Sequence, residues 1–590
     1  MQSIRKDLFE IFQGAVQALL GPESSIKYAM IQRAGRPEFG DYQANFAMSL
    51  AKQRGENPKA MAETVIKQVA EAEKDGLRVF AKLENAGPGF INITLTEEYL
   101  VRQLKAFNPE HYAGQAEHLG QIVVIDYGSA NIAKEMHVGH LRSTVIGDAI
   151  TRILTFAGYT IVRQSHLGDW GTQFGMLIEY MIEKDQLANK LTEMKDLTKL
   201  YQNSKVSFDA DPAFADRARE RVVKLQSGDA ETLAMWQHLV DISVAYFASI
   251  YQRLGVLLTR EDDCGESFYN NMLTGIVSEL IQAGIAEKSE GALVIYLDGF
   301  VDREKNPLPM LIQKTDGGYL YSTTDLAAAK YRLNHYKADR LIYVTDSRQE
   351  QHFAMLFAAV KRTNWAKNTV TFEHVPFGSV LGKDKKPFKT RSGENIRLAE
   401  LIDEAEARAY KIVDEKNPTA PENEKKQIAN TIGIGALKYA DLSSERTKDY
   451  VFDWDTQLSF DGNTAPYLQN AYVRIQSIFR KGEIDPAHYA KFVGDERTIL
   501  ITDPIEHELS IHLLEFHEVV ARTVEDLLIH KLCTYLHQLA ALFHRFYEHC
   551  KILNAPDAAT KESRLIFCIL VSTTLKKGLN LLGVNVLEKM

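Results

Sequence analysis

Cysteine is scarce. Four residues in 590, Cys264, Cys533, Cys550 and Cys568, are far apart and form no Cys-x-x-Cys pair. That excludes a disulfide scaffold and a cysteine-rich zinc site, and it suits a reducing compartment. Proline (16) and glycine (36) are too few for collagen-like or low-complexity chains. No stretch approaches about 18 uncharged apolar residues, so no membrane span is expected. The opening residues MQSIRKDLFEIFQG mix charged and apolar positions and no hydrophobic core of a signal peptide follows, so a cytoplasmic chain is expected. A basic excess is also missing. Lys and Arg number 69 against 78 Asp and Glu, a net charge of −9. This disfavours a packaging role on nucleic acid but leaves room for a local basic face. Neither G-x-x-x-x-G-K-[S/T] nor G-x-G-x-x-G occurs, so P-loop and dinucleotide sites lack their markers.

What is present is ordinary globular composition, 45% hydrophobic and 25% charged, long enough for about three to five domains. Residues 1–108 are expected to form a small α+β module. A helix is expected over 4–20, because Ile4, Leu8, Ile11, Phe12, Val16 and Leu19 keep helical spacing before Gly21-Pro22. A second helix is expected over 58–73, with strands at 79–83 and 90–95 around a Gly-Pro-Gly turn. Residues 120–394 change character: a strand at 121–125, a helix at 137–156 and a strand at 159–164 make a βαβ unit. The expected fold class is α/β, a Rossmann-like parallel-sheet catalytic domain. Residues 183–256 read as a charged helical insertion. Further strands are expected at 292–296 and 340–345, the latter after a helix at 325–335. Residues 395–465 read as a helical connection, and 466–590 as an all-helical bundle.

The sharpest chemical feature is Asp126-Tyr-Gly-Ser-Ala-Asn-Ile-Ala-Lys-Glu-Met-His-Val-Gly-His140, where the first strand hands over to the first helix. Ligands bind outside the carboxyl ends of strands in open α/β sheets. His137 and His140 share a face of the first helical turn. Gly139 leaves room for a flat ring on the backbone, and the helix N-terminus offers free N–H groups to phosphate. The pattern suits ATP with its α-phosphate beside two imidazoles that donate hydrogen bonds to developing charge. A lone His-x-x-His is otherwise a structural pair or half a metal site. His-Glu-x-x-His is absent and no third ligand lies nearby in sequence, so no protein-bound metal is expected.

This stretch resembles the His-Ile-Gly-His signature of class I aminoacyl-tRNA synthetases, and the surroundings resemble the arginyl-tRNA synthetase family. The likeness spans nearly the whole chain: Leu167-Gly-Asp-Trp-Gly-Thr-Gln-Phe-Gly175, Tyr321-Ser-Thr-Thr-Asp325, Asp346-Ser-Arg-Gln-Glu-Gln-His352, and Asp461-Gly-Asn-Thr-Ala-Pro-Tyr-Leu-Gln-Asn-Ala-Tyr472. It places the signature region at Ala130, Asn131, Ile132, Ala133, Lys134, Glu135, Met136, His137, Val138, Gly139 and His140. It implies that arginine and ATP, the latter with Mg2+, form arginyl-adenylate and pyrophosphate. The arginyl group then passes to the 3′ end of tRNA(Arg). By resemblance His137, Gly139 and His140 bind ATP. The family's second signature, Lys-Met-Ser-Lys-Ser, is degenerate. Pro387-Phe-Lys-Thr-Arg391 stands in its place, with Thr390 where the second lysine is expected. Lys134 is expected to supply the missing charge, and Lys389 and Arg391 to hold phosphate.

A planar guanidinium is best met by a carboxylate with two-point geometry. The resemblance implies Tyr321, Asp325 and Gln349 around the arginine side chain, with Glu266 a weaker candidate. Ser129 and Asn131 are expected at its α-amino and carboxylate end. Read without the family, Asp325 is equally well a helix cap. No editing site is expected in 183–256, because a pocket that hydrogen-bonds a guanidinium already rejects lysine. In the bundle, Tyr467, Gln469, Tyr472, Arg474 and Gln476 are expected to meet splayed bases, beside a strip of His537, His544, Arg545, His549 and Lys551. The family is usually monomeric. Two other readings stay open on the residues alone: another His-x-Gly-His nucleotidyltransferase, and a non-catalytic tRNA-binding paralogue.

Overall fold

The computed structural model describes residues 3–184, 193–386, 388, 396–490 and 499–590. Its organising element is a four-stranded parallel sheet. Strand β1 (Ile122–Asp126) leads to helix α1 (Val138–Phe156), which returns the chain to β2 (Thr160–Gln164) beside it. Helix α2 (Tyr321–His335) precedes β3 (Arg340–Asp346). Helix α3 (Glu350–Lys361) then carries the chain to β4 (Thr371–Phe377). The order is β4-β3-β1-β2, with Tyr343 beside Asp126 and Asp126 beside Gln164. From β1 the chain moves one way across the sheet, and from β3 it moves the other way. The carboxyl ends of β1 and β3 therefore flank a crevice at the topological switch point, where such sheets leave room for a ligand.

Helix α1 is buried on every side: Leu141, Val145, Ile146, Ile150, Ile153 and Leu154 are at most 1% exposed. Such a helix needs partners all round. It has the sheet on one side, and on the others α4 (Glu422–Leu442), α5 (Ala558–Leu581) and helix Phe516–Asp526. Two buried ionic contacts tie α1 to α4. Arg142 Nε lies 3.1 Å from Asp441, and its Nη1 donates to Gly378 O at 2.8 Å. Further along, Lys438 and Asp148, both with fully buried side chains, stand 3.8 Å apart. Arg152 donates to Asp148 at 2.8 Å and Lys438 to Leu254 O at 3.0 Å. The turn after α5 closes over this group. Gly583 has φ +65°, and a Cβ there would lie 2.6 Å from Lys438 Nζ and 2.9 Å from Asp148 Oδ2. Only glycine accepts both the backbone conformation and the approach.

Three helices, Met194–Ala210, Pro212–Ser227 and Ala230–Leu254, occupy the expected insertion. Before residue 108, the helix Ile4–Leu20 is capped by Ser3 and buries Leu8, Phe12 and Val16 on a four-stranded antiparallel sheet. This module rests on the bundle through Arg5–Glu518 at 2.8 Å and Asp41–His507 at 2.9 Å. From Ala465 onward every described regular element is helical.

Several elements differ from expectation. The second helix stops at Val69, and Glu73–Lys74 pairs with Leu77–Arg78 instead of continuing it. The strand expected at 79–83 runs Phe80–Ala86. The strand expected at 292–296 is present and longer, Ala292–Val301, but it belongs to a separate three-stranded antiparallel sheet whose other strands, Glu287–Ser289 and Pro307–Gln313, are not among the expectations, and neither is β4. Helix α2 starts at Tyr321, four residues early. Ser322 Oγ and Thr323 Oγ1 donate to Leu311 O and Ile312 O. Those tertiary bonds hold a first turn that Tyr-Ser-Thr-Thr would not form on propensity alone.

Candidate active site

The first wall of the crevice is the N-terminus of α1. His137 is its N-cap, and its Nδ1 accepts from Gly139 N–H at 3.0 Å. His140 Nδ1 accepts from His137 N–H at 3.0 Å. The two rings lie 4.0 Å apart. Two histidines thus perform the reciprocal capping usually done by Ser and Glu. The consequence is chemical. With Nδ1 accepting, each neutral ring carries its proton on Nε2, free to donate. Burial, then His137, pushes His140 down to about 3, so it is neutral at any working pH. Burial and the charge of Arg348 lower His137 as well.

The approach to this cap is pinned from several directions. Ile132 N–H donates to Gly168 O and Gly168 N–H to Ala130 O, both at 3.1 Å. A Cβ on Gly168 would fall 2.2 Å from Asn131 Oδ1, so glycine is what lets the exposed Asn131 side chain sit there. Ala133 turns at φ +61°, its N–H held by Ser243 Oγ at 3.0 Å from the inserted helices. Ala130, Ile132, Ala133, Met136 and Val138 are buried and structural. Glu135 lies 3.2 Å from Arg397. Lys134 sets its ammonium 4.8 Å from the Tyr201 ring centroid. Lys389 and Arg391 lie outside the described residues.

The second wall comes from α2, α3 and the turn after β2. Asp325 is the fifth residue of α2, so it is no helix cap, and it shares a face with Tyr321 one turn earlier. His352 Nε2 bonds Asp325 Oδ2 at 2.6 Å, and its ring lies 4.9 Å from that of the exposed Tyr321. His166 Nε2 stands 3.8 Å from Asp325 Oδ1. The Ser129 hydroxyl accepts from His166 N–H at 3.1 Å and donates to Asp126 at 3.0 Å, which leaves one lone pair for a substrate. Below, Asp126 pairs with buried Arg332 at 2.7 Å. Burial raises its pKa, but Arg332, His166 and the Ser129 hydrogen bond together outweigh that and hold it below the ordinary range. Ser129, His166, Asp325, His352 and Tyr321 are thus neighbours in one wall, joined by two hydrogen bonds, one 3.8 Å approach and a ring contact. Gln349 is exposed at the N-terminus of α3.

Glu266 belongs to the same neighbourhood. Burial, then the charges of Asp169 and Asp325, pushes its carboxyl up to about 7. A group raised to that value is mostly protonated at about pH 6 and mostly ionised at about pH 8. Only the ionised form attracts a guanidinium. On the expectation that Glu266 meets the arginine side chain, the KM for arginine falls as pH rises across that interval, and Glu266→Gln flattens the dependence at a high KM. Steady-state KM against pH checks this, and a KM that rises with pH overturns it.

His166 and His352 were not singled out from sequence, although His352 ends a quoted block and His166 follows β2. Their places at the carboxyl side of the sheet are the signal that sequence reasoning passed over.

In the bundle, Gln469 is fully buried, donating to Thr431 O and Asn585 O, and Tyr472 is 4% exposed and bonded to Glu588. Both are packing residues, which corrects the expectation that they face bases. Tyr467 packs on His537 and His544, and Arg474 Nη1 lies 3.1 Å from His544 Nδ1. A cavity of about 770 Å³ opens beside them, lined in part by Arg474, Arg480, Lys481, Tyr547, Lys551 and Lys589.

The crevice at the switch point, the histidine-capped helix and a match over residues 104–454 to the family model "tRNA synthetases class I (R), catalytic domain" define a class I synthetase catalytic domain. Residues 6–95 match "Arginyl tRNA synthetase N terminal domain" and 468–590 match "DALR anticodon binding domain". The chain is 48% identical over 560 residues to an arginine–tRNA ligase of Erwinia tasmaniensis, covering 95% of each. It is 46% identical over 588 residues to one of Chromobacterium violaceum, covering all of both. The solved arginyl-tRNA synthetase of Plasmodium falciparum superposes with a TM-score of 0.85 at 33% identity over the whole of both chains. That of Thermus thermophilus shares the fold, with a TM-score of 0.79 at 23% identity. The chain belongs to the arginyl-tRNA synthetase family.

Proposed function

We infer that the chain catalyses the arginine–tRNA ligase reaction. Arginine and ATP react to arginyl-adenylate and pyrophosphate, and a hydroxyl at the 3′ end of tRNA(Arg) then takes the arginyl group and releases AMP. The observation that carries this reading is the pairing of two walls across one crevice: a neutral, Nε2-protonated histidine pair at a helix N-terminus, and the carboxylates of Asp325 and Glu266. ATP enters as its Mg2+ complex, with its α-phosphate at His137, Gly139 and His140. The guanidinium takes Asp325 and Glu266, flanked by Tyr321 and Gln349. Ser129 and Asn131 hold the other end, so the arginine carboxylate oxygen faces phosphorus. As that oxygen bonds to the α-phosphorus and the bond to the bridging oxygen breaks, the two Nε2–H groups meet the growing negative charge. Pyrophosphate exchange with arginine, ATP and bulk tRNA tests the reading. Arginine-dependent exchange is expected; exchange that ignores arginine, or none, overturns it.

The domains divide this labour: 120–394 for chemistry with its insertion at 183–256, 395–465 as the connection, and 466–590 with the 1–108 module on tRNA. The basic cavity of the bundle suits unstacked bases and phosphate. The chain acts as a cytoplasmic monomer.

Lys134 takes the charge role that Thr390 cannot. Its contact with the Tyr201 ring, both groups being half-buried, is worth about 1–2 kcal/mol, little against a triphosphate. Lys134→Ala is expected to impair adenylate formation, and Thr390→Lys in that background to restore part of it. Undiminished pyrophosphate exchange in Lys134→Ala would remove the compensation.

A further inference from the structure

One cation at the mouth of the crevice has no part in the reaction as derived so far. Arg348 lies just past the carboxyl end of β3, in the turn Ser347–Gln349. Its position relative to α1 follows from a buried bond: Ser143, one turn past His140, donates to Val344 O at 2.7 Å. Helix α1 runs against the direction of the strands. From Ser143 back to His137 is about 9 Å of helix, and from Val344 on to Asp346 about 7 Å of extended chain, with Arg348 two residues further in the turn. Both paths lead to the same end of the sheet. Arg348 therefore stands across the crevice from the histidine pair, near its level.

The side chain is held although it is open. It is 86% exposed, yet Nε meets Asp346 Oδ1 and Nη2 meets Asp346 Oδ2, both at 2.8 Å. Asp346 Oδ1 also accepts Arg348 N–H at 2.9 Å. A solvated arginine normally samples many rotamers at an entropic cost to any ligand that fixes it. Here the two-point grip on Asp346 has already fixed the fork. Two of the five guanidinium N–H groups are used and three remain. Among the described residues no other hydrogen bond of the guanidinium is recorded. The charge is felt across the gap, since Arg348 is the one neighbouring charge that depresses His137.

We propose that Arg348 binds the pyrophosphate portion of ATP, presented by Asp346, while the N-terminus of α1 takes the α-phosphate. This rests on α1 being the nucleotide site. Arg348 is then a second source of charge for the leaving group, on the wall opposite Lys134, in a chain whose second signature has lost a lysine. Asp346 is a positioning residue.

The test compares wild type, Arg348→Gln, Arg348→Lys and Asp346→Asn as full-length enzyme. Pyrophosphate exchange gives KM for ATP and for arginine separately. Calorimetric titration with inorganic pyrophosphate gives a Kd that needs no turnover. Arg348→Gln is expected to raise the KM for ATP and the Kd for pyrophosphate about tenfold or more, with the KM for arginine within about twofold. Arg348→Lys recovers part, since a point charge replaces a fork, and Asp346→Asn shows the same split at smaller size. An Arg348→Gln enzyme whose ATP and pyrophosphate constants match wild type overturns the proposal. Wild type without arginine-dependent exchange overturns the function instead, and the calorimetric comparison still decides the role of Arg348.

Discussion

Replacing His140 with alanine is expected to lower kcat by about a hundredfold or more and to leave the KM for arginine nearly unchanged. That is the usual cost of removing one donor aimed at transition-state charge. His140 has no other chemistry to offer. Burial keeps it neutral, with a pKa of about 3, so it neither gives nor takes a proton at working pH. What it supplies is one Nε2–H, oriented by the backbone N–H of His137 on the opposite ring nitrogen. The same neutrality means that no limb of the pH–rate profile between about pH 6 and 9 belongs to His140. Single-turnover formation of adenylate in the purified variant measures the loss. Normal turnover would remove the helix N-terminus from the reaction.

Asp325 carries the second large effect. Asp325→Ala is expected to abolish arginine activation, and Asp325→Asn to lose most of it. In wild type, one carboxylate oxygen is bonded to His352 at 2.6 Å and the other stands 3.8 Å from His166. An amide can present one acceptor, not two, so the variant leaves either the guanidinium or a histidine without its partner. Each buried unpaired group costs about 1–3 kcal/mol, and two such groups already amount to a hundredfold or more. Lysine meets the wild-type pocket with the same deficit, because a point charge cannot satisfy both carboxylates as a planar fork does. The measurement is kcat/KM for arginine, lysine and canavanine in wild type and both variants. Near-normal arginine kinetics in Asp325→Asn would shift recognition to Glu266.

The central βαβ unit was legible because its signals are local. IVVID is a buried parallel strand, α1 is one long buried helix, and the candidate residues form a continuous run between them. What escaped was decided by tertiary contact. β4 is an edge strand carrying Glu373 and His374, so its pattern never looked like a buried run. The start of α2 depends on two hydroxyls reaching a neighbouring strand, a bond that no window of sequence contains. Gln469 and Tyr472 have the composition of a base-reading surface but fill the joint between helices. His352 was in plain sight within a quoted block. Its meaning came only when α2 brought Asp325 to it.

The closure over Lys438 gives the far end of α1 a distinct physical status. Asp148 sits about 16 Å of helix from His137, in a buried chamber covered by the turn at Gly583. Burial, partly offset by Asp148 and reinforced by Arg152, brings the Lys438 ammonium down to about 8. Attraction between fixed charges scales inversely with the dielectric around them. Lifting that turn by a water's width hydrates the ammonium and weakens its hold on Asp148 severalfold. The last turn of the bundle is therefore seated directly on the charge pair at the tail of the helix whose head carries the two histidines.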